Sequence, residues 1–177
     1  MSLLEQALAL NRLHAGRLAG RADIPLMNLY LRTDGPGFCL HEPLRQFSRR
    51  SAALERWVRE VGAEYGEQLA GDDAVHCDFH PGNMLSSDGV ITGVVDWDGA
   101  ARGDRGLDLV TLRFGVLPGQ CDPAVTGRLD AILDGMPSDV LRPAWAHMSL
   151  RMTDWAIRHF TDAEAEYYLA LAERRAC

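Results

Sequence analysis

The sequence predicts an α+β fold, mostly helical with a small β-hairpin at its centre, and three observations carry that prediction. From Ser48 to Leu69 the residues Leu54, Trp57, Val58, Val61 and Tyr65 recur at i, i+3, i+4, i+7 and i+11, the period of an amphipathic helix. Helix-start signals recur in the last third: Asp122 precedes Pro123, and Thr161-Asp162-Ala163-Glu164 fits a capping box. Between these regions, Met84–Ser86 and Val90–Val95 flank Ser87-Asp88-Gly89, the pattern of two short strands joined by a glycine-bearing turn.

The remaining elements follow in order. Residues 3–18 place Leu3, Leu4, Ala7, Leu8 and Leu18 at helical spacing, a first helix. Residues 20–43 contain Pro25, Gly35-Pro36-Gly37 and Pro43 and read as a long irregular connection. Its apolar islands (Leu26, Met27, Leu29, Tyr30, Leu31) mark it as packed rather than free. Ala74-Val75-His76-Cys77 reads as a strand, and a polar turn runs from Asp78 to Asn83. After Trp97 the chain turns through Gly99 and Gly103 and becomes helical from about Asp104 to Phe114. A helix opening at Asp122-Pro123 stops at Gly135. Another opens at Ser138 with Leu141, Trp145, Met148, Met152 and Trp155 on one face, and the last runs to about Arg174. There is no internal repeat. The length fits one domain over 1–177: a helical part with its connection (1–73), the polar turn and hairpin (74–98), and C-terminal helices (99–177).

Composition excludes several classes. With 47% hydrophobic and 24% charged residues the chain can build a core, which excludes disorder. No apolar run approaches the roughly 18 residues of a membrane span, and Glu5, Asn11 and Arg12 break the N-terminal apolar stretch, so it is not a signal peptide. Cys39, Cys77, Cys121 and Cys177 form no C-x-x-C pair and suit a reducing cytoplasm. The net charge of −7 argues against nucleic acid and favours neutral or cationic ligands. All eighteen basic residues are arginine. A mechanism that needs a lysine cannot be completed by this chain alone.

The chemistry is concentrated in His76-Cys77-Asp78-Phe79-His80-Pro81-Gly82-Asn83 and in Val94-Val95-Asp96-Trp97-Asp98. A strand delivers Asp78 into a tight loop, Pro81-Gly82 turns the loop back, and the hairpin returns Asp96 to the same end. One carboxylate, one amide oxygen and a second carboxylate thus converge at one sheet edge. A hard cation such as Mg²⁺ takes oxygen ligands and usually only one or two carboxylates beside substrate phosphates, which Asn83 and Asp96 can supply. Asp78 is then left to accept a proton from an attacking hydroxyl.

At these residues the sequence resembles the aminoglycoside phosphotransferase and choline-kinase-like family of small-molecule kinases, through H-x-D-x-H-P-G-N followed by an apolar-V-D-W-D segment. The resemblance implies a protein-kinase-like C-terminal lobe that uses ATP as phosphoryl donor and Mg²⁺. By it Asp78 is the catalytic base, Asn83 and Asp96 hold the metal and nucleotide, and His76, His80 and Asp108 support the loop. Gly103-Asp104 and Asp108-Leu109 resemble the family's G-D…D-L segment. The helices around Trp155 and from Thr161 resemble its substrate-facing helices, with Asp154, Trp155 and Glu164 as candidates there. The family's N-terminal lobe, with its phosphate-covering loop and strand lysine, has no counterpart in these residues.

The expectation is therefore an O-phosphotransferase acting on a small-molecule hydroxyl, an aminoglycoside-type antibiotic being the first candidate and resistance the corresponding role. Two other readings stand beside it: a catalytically inactive binding module, and a metal-dependent hydrolase built on His76, Asp78 and His80. Expected partners are the small-molecule substrate, cationic if the acidic helix faces attract it, and either a second copy or a separate N-lobe. Neither nucleic acid nor membrane is expected.

Overall fold

The computed structural model describes residues 1–35, 40–117, 119 and 121–176; Pro36, Gly37, Cys39 and Cys177 lie outside the described residues. In chain order the elements are α1 (Leu3–Leu13), α2 (His41–Phe47), α3 (Arg49–Tyr65), β1 (Asp73–Val75), a 3₁₀ turn (Pro81–Asn83), β2 (Met84–Ser87), β3 (Val90–Val94), β4 (Ala101–Gly103), α4 (Gly106–Gly115), α5 (Pro123–Asp134), α6 (Ser138–His159) and α7 (Asp162–Glu173). The fold is α+β and mostly helical, as the sequence predicts. Among the described residues no helix is long and apolar enough to cross a membrane.

The chain forms two compact units. The first comprises Met1–Met27 and Leu69–Val140, the second Asn28–Gln68 and Leu141–Cys177.

In the first unit α4 is the central element. Every residue from Gly106 to Phe114 is buried, so this helix is enclosed on all sides. Helices α1 and α5 and the 3₁₀ turn pack on it. Asn11 of α1 is buried and reads the start of α4 with both ends of its amide: Nδ2 donates to the Arg105 carbonyl at 3.0 Å, and Oδ1 accepts from Arg105 Nη1 at 2.9 Å. Helix α1 is shorter than the predicted 3–18. It ends at Leu13, and a series of turns with Gly16 and Gly20 at φ +64° and +76° follows.

The hairpin forms as predicted. Ser87 pairs with Val90 across Asp88-Gly89, whose φ values of +51° and +76° are those of a type I′ turn. Leu85 faces Gly93 while Ser86 faces Ile91, so Thr92 is an extra, bulged residue. Gln6 of α1 lies along β3: its Nε2 donates to the Gly89 carbonyl at 2.8 Å and its Oε1 accepts the Ile91 N–H at 2.9 Å. The strand predicted at residues 74–77 is β1, one residue earlier and shorter. Its partner β4 lies where the sequence predicts only a turn through Gly99 and Gly103; three residues are too few to show a period, and the pairing Asp73–Gly103 to Val75–Ala101 is a tertiary outcome.

In the second unit α3 carries the predicted amphipathic pattern, with Leu54, Trp57, Val58 and Val61 buried. It is entered through a capping box of Ser48 and Ser51 and stops at Gly66, where φ is +86°. Residues 67–69 of the predicted helix are instead non-helical, with Gln68 bridging to Asn28. The connection predicted as irregular over 20–43 ends inside α2, whose buried His41 sits between the Glu55 carboxylate (3.1 Å) and the Tyr30 carbonyl (3.0 Å). Trp145 of α6 is buried and donates to the Ala172 carbonyl at 2.9 Å.

His147 of α6 is also buried, its Nδ1 at 2.8 Å from the Leu29 carbonyl, and burial holds its pKa down at about 4 from the usual 6.5. The folded state therefore keeps the ring neutral while the unfolded chain takes a proton on it below about 6.5. Stability should be full above that value and fall by on the order of 3 kcal/mol as the pH drops through 4. Denaturant unfolding at pH 7 and pH 4 measures this, and His147→Leu should remove that part of the loss. An unchanged pH slope in the variant would place the loss elsewhere.

Candidate active site

The loop after β1 is built on a buried carboxylate. Asp108, fully buried in the first turn of α4, accepts the His76 N–H on Oδ2 at 2.9 Å and the Cys77 N–H on Oδ1 at 3.0 Å. Cys77 sits at φ +67°, a conformation that costs a β-carbon-bearing residue about 1 kcal/mol, and its thiol lies 3.1 Å from the Met27 thioether. The two N–H groups held by one carboxylate fix this turn of backbone, and Asp78 is the next residue. Asp104, also singled out in the sequence, precedes the N-cap Arg105 and accepts the Gly106 N–H, the first of α4, at 2.7 Å.

Both histidines of the loop use both ring nitrogens. His76 is buried; its Nδ1 lies 3.3 Å from the Asp78 N–H and its Nε2 2.9 Å from the Val95 carbonyl, so it ties the loop to the segment that carries Asp96. His80 accepts the Gly82 N–H on Nδ1 at 3.1 Å and places Nε2 3.3 Å from Asp78 Oδ2. Among the described residues no group of three or more His, Cys, Asp and Glu side chains could hold a metal ion. With their nitrogens committed in this way, His76 and His80 are not presented as ligands, which weakens the hydrolase reading.

Asp78, Asn83 and Asp96 come to one end of the hairpin. Asn83 donates from Nδ2 to the Asp78 carbonyl at 2.9 Å and to Asp78 Oδ2 at 3.0 Å. With the amide nitrogen spent on Asp78, its oxygen remains as an acceptor. The Asn83 carbonyl accepts the Val95 N–H at 3.0 Å, which extends the β2–β3 pairing by one step and sets Asp96 beside Asn83. Asp96 is exposed at φ +65°, out of the strand path. Asp98 is exposed as well. An amide oxygen and a carboxylate, both hard oxygen donors, fit a Mg²⁺ ion that draws its other ligands from phosphates and water.

Sequence reasoning missed His14. It caps the end of α1, where its Nδ1 lies 3.8 Å from Asp108 Oδ2 and its ring meets Phe79 and Trp97 edge-on at 6.2 and 5.4 Å. It thus touches the anchor, the loop and the segment after Asp96 at once. The available signal was a histidine just before Gly16, the pattern of a helix end.

Asp154, Trp155 and Glu164 belong to the second unit. Asp154 is buried and paired with Arg158 at 2.8 Å; burial raises its pKa, and the guanidinium opposes the rise. Trp155 is 51% exposed and lies against the His159 ring at 4.0 Å. Glu164 is the third helical residue of the α7 capping box, and the Thr161 N–H and hydroxyl hold its pKa down. An apolar cavity of about 540 Å³ in the first unit is lined by Leu4, Pro81, Met84, Ile91, Leu112 and Val116 among others, and among the described residues no charged side chain lies in its wall.

A carboxylate braced beside an amide, with a second carboxylate following in the chain and a buried aspartate anchoring the loop, offers the oxygen donors and the proton acceptor that phosphoryl transfer needs. The comparison with protein families agrees: residues 7–139 match the model of the phosphotransferase enzyme family, and the chain belongs to that family. No curated protein and no solved structure matches it significantly.

Proposed function

We propose that the chain carries the catalytic half of an ATP-dependent O-phosphotransferase for a small-molecule hydroxyl. The observation that carries this reading is the union of Asp78, Asn83 and Asp96 at one hairpin end, on a loop whose backbone is held by Asp108. In this reading Asp78 orients the acceptor hydroxyl and takes its proton as the oxygen bonds to the γ-phosphorus and the bond to the β-phosphate oxygen breaks. Asn83 and Asp96 are the residues that would hold Mg²⁺, which supplies charge neutralisation on the phosphates when bound. His76 keeps the loop and the Asp96 segment in register, so the two carboxylates stay at a fixed spacing. Catalysis rests on positioning more than on covalent chemistry.

The acceptor is a small molecule with a free hydroxyl, an aminoglycoside-type antibiotic being the first to try and resistance the role it would imply. The net charge of −7 supports a cationic acceptor. With no lysine in the chain, an arginine, a second copy or a separate N-lobe would supply the remaining phosphate contacts. Leu85, Val90, Val95 and Trp97, all at least 40% exposed, support such a partner surface around the hairpin.

Calorimetric titration of Mg²⁺-ATP into the purified chain tests the phosphate site, with Asp96→Asn as the variant. Micromolar binding that requires Mg²⁺ and disappears in Asp96→Asn is the expected result. Binding with the same metal response in both proteins would remove Asp96 from the ligand set.

A further inference from the structure

Two glycines of the first unit stand where a side chain would strike His80, and neither is needed for its backbone conformation. Gly115 closes α4, and a β-carbon there would lie 2.6 Å from His80 Cβ and 3.1 Å from Pro81 Cδ. Gly82 lies under the imidazole, where a β-carbon would be 2.7 Å from Cε1 and 3.0 Å from Nδ1. Among the described residues the glycines at positive φ are Gly16, Gly20, Gly66, Gly89 and Gly119, so Gly82 and Gly115 are called for by close approach and not by left-handed geometry. Gly115 still has helical geometry, one residue before the C-cap Val116, and at such a position alanine is the better helix former.

The ring seated on these glycines is also oriented. Its Nδ1 accepts the Gly82 N–H at 3.1 Å, which assigns the remaining proton of the neutral ring to Nε2, and Nε2 is the atom 3.3 Å from Asp78 Oδ2. Asn83 Nδ2 approaches the same oxygen at 3.0 Å. One oxygen of Asp78 is thus held by two neighbours, and one of those is placed by a residue far outside the loop in sequence.

We propose that His80 is a positioning residue for Asp78 and that Gly115, at the end of α4, sets its place. Gly82 orients the ring from within the loop, and Gly115 sets how closely the loop backbone at His80 and Pro81 can settle on α4. The consequence for catalysis rests on the reading of Asp78 given above; the contact itself does not. A displacement of a few tenths of an ångström at His80 passes directly to the carboxylate, and misplacement of a reacting group by about 1 Å is enough to cost on the order of 10²-fold in rate.

The test is imidazole and carboxyl NMR on the full chain, with His80 assigned from H80Q and the Asp78 carboxyl carbon from D78N. In G115A both the His80 ring signals and the Asp78 carboxyl signal should move, the latter toward its position in H80Q. A folded G115A that leaves both signals in place would overturn the proposal. Where G115A does not fold, the double variant G115A/H80G decides: recovery of the cooperative thermal transition supports the seat, and failure to recover it refutes the seat. In a chain with measurable transfer, G115A should lower kcat and leave KM for the nucleotide within about twofold. The spectra read the His80–Asp78 contact without turnover, so an inactive chain leaves this test intact, and a failed test leaves the assignment of Asp78 standing.

Discussion

Asp78→Asn is expected to lower kcat for phosphoryl transfer by at least 10²-fold, on the order of a general-base contribution, with KM for the nucleotide nearly unchanged. Asparagine is isosteric and keeps an oxygen where Asn83 Nδ2 and His80 Nε2 approach, so the loop has no reason to rearrange. What the variant lacks is the capacity to take a proton at the acceptor oxygen. A loss in kcat with intact nucleotide binding is the signature of a group that acts in the transition state. Steady-state kinetics with Mg²⁺-ATP, alongside a thermal melt to confirm the fold, make the measurement. Turnover within about threefold of the parent chain would remove Asp78 from the role.

The second large effect is on stability. Asp108→Ala should destabilise the first unit by roughly 2–6 kcal/mol, because it orphans two buried N–H groups and each costs about 1–3 kcal/mol. Set against a total of about 5–15 kcal/mol for a typical domain, that is a large share. Asp108→Asn should cost about half as much, since its amide oxygen can still accept one of the two N–H groups while its NH₂ opposes the other. Urea unfolding of the three proteins gives the order directly. If the asparagine variant were as stable as the parent, the bidentate anchoring of His76 and Cys77 would not be what holds the loop.

Most of the helical frame was legible because its signals are local. The capping box at Thr161, the Asp122-Pro123 start and the apolar period of α3 each state a boundary or a face within a few residues, and each is present. The hairpin was legible for the same reason, since Asp88-Gly89 satisfies a turn that needs two residues at positive φ. Beyond that range the signal failed. Strand β4 exists only through its pairing with β1, and α2 lies in a stretch rich in proline and glycine with too few residues for a period to emerge. The apolar pattern predicts α3 four residues too long because Leu69 continues its apolar run past Gly66, which ends the helix.

The site divides in the same way. Asp78, Asn83 and Asp96 share one short stretch and could be gathered by spacing alone. Asp108 was named as a loop support, and its two accepted bonds give that support a geometry. His14 is 64 residues before Asp78 and shows nothing in sequence beyond the end of a helix, yet it meets Phe79, Trp97 and Asp108. In sequence Gly82 is simply a residue of a reversing turn. The turn is a 3₁₀ turn without positive φ, and its glycine answers instead to the ring lying over it.

The amide of Gln6, which donates to Gly89 and accepts from Ile91, has a consequence between molecules rather than within one. It meets the backbone of β3 with one donor and one acceptor, the same pair of contacts a third strand would offer. A two-stranded ribbon with an unguarded flank is a template on which another ribbon can grow, and a side chain posing as a strand occupies that template with something that cannot propagate. Glutamine at position 6 thus helps to keep the hairpin from becoming the seed of a polymer at the concentrations a cell or a purification reaches.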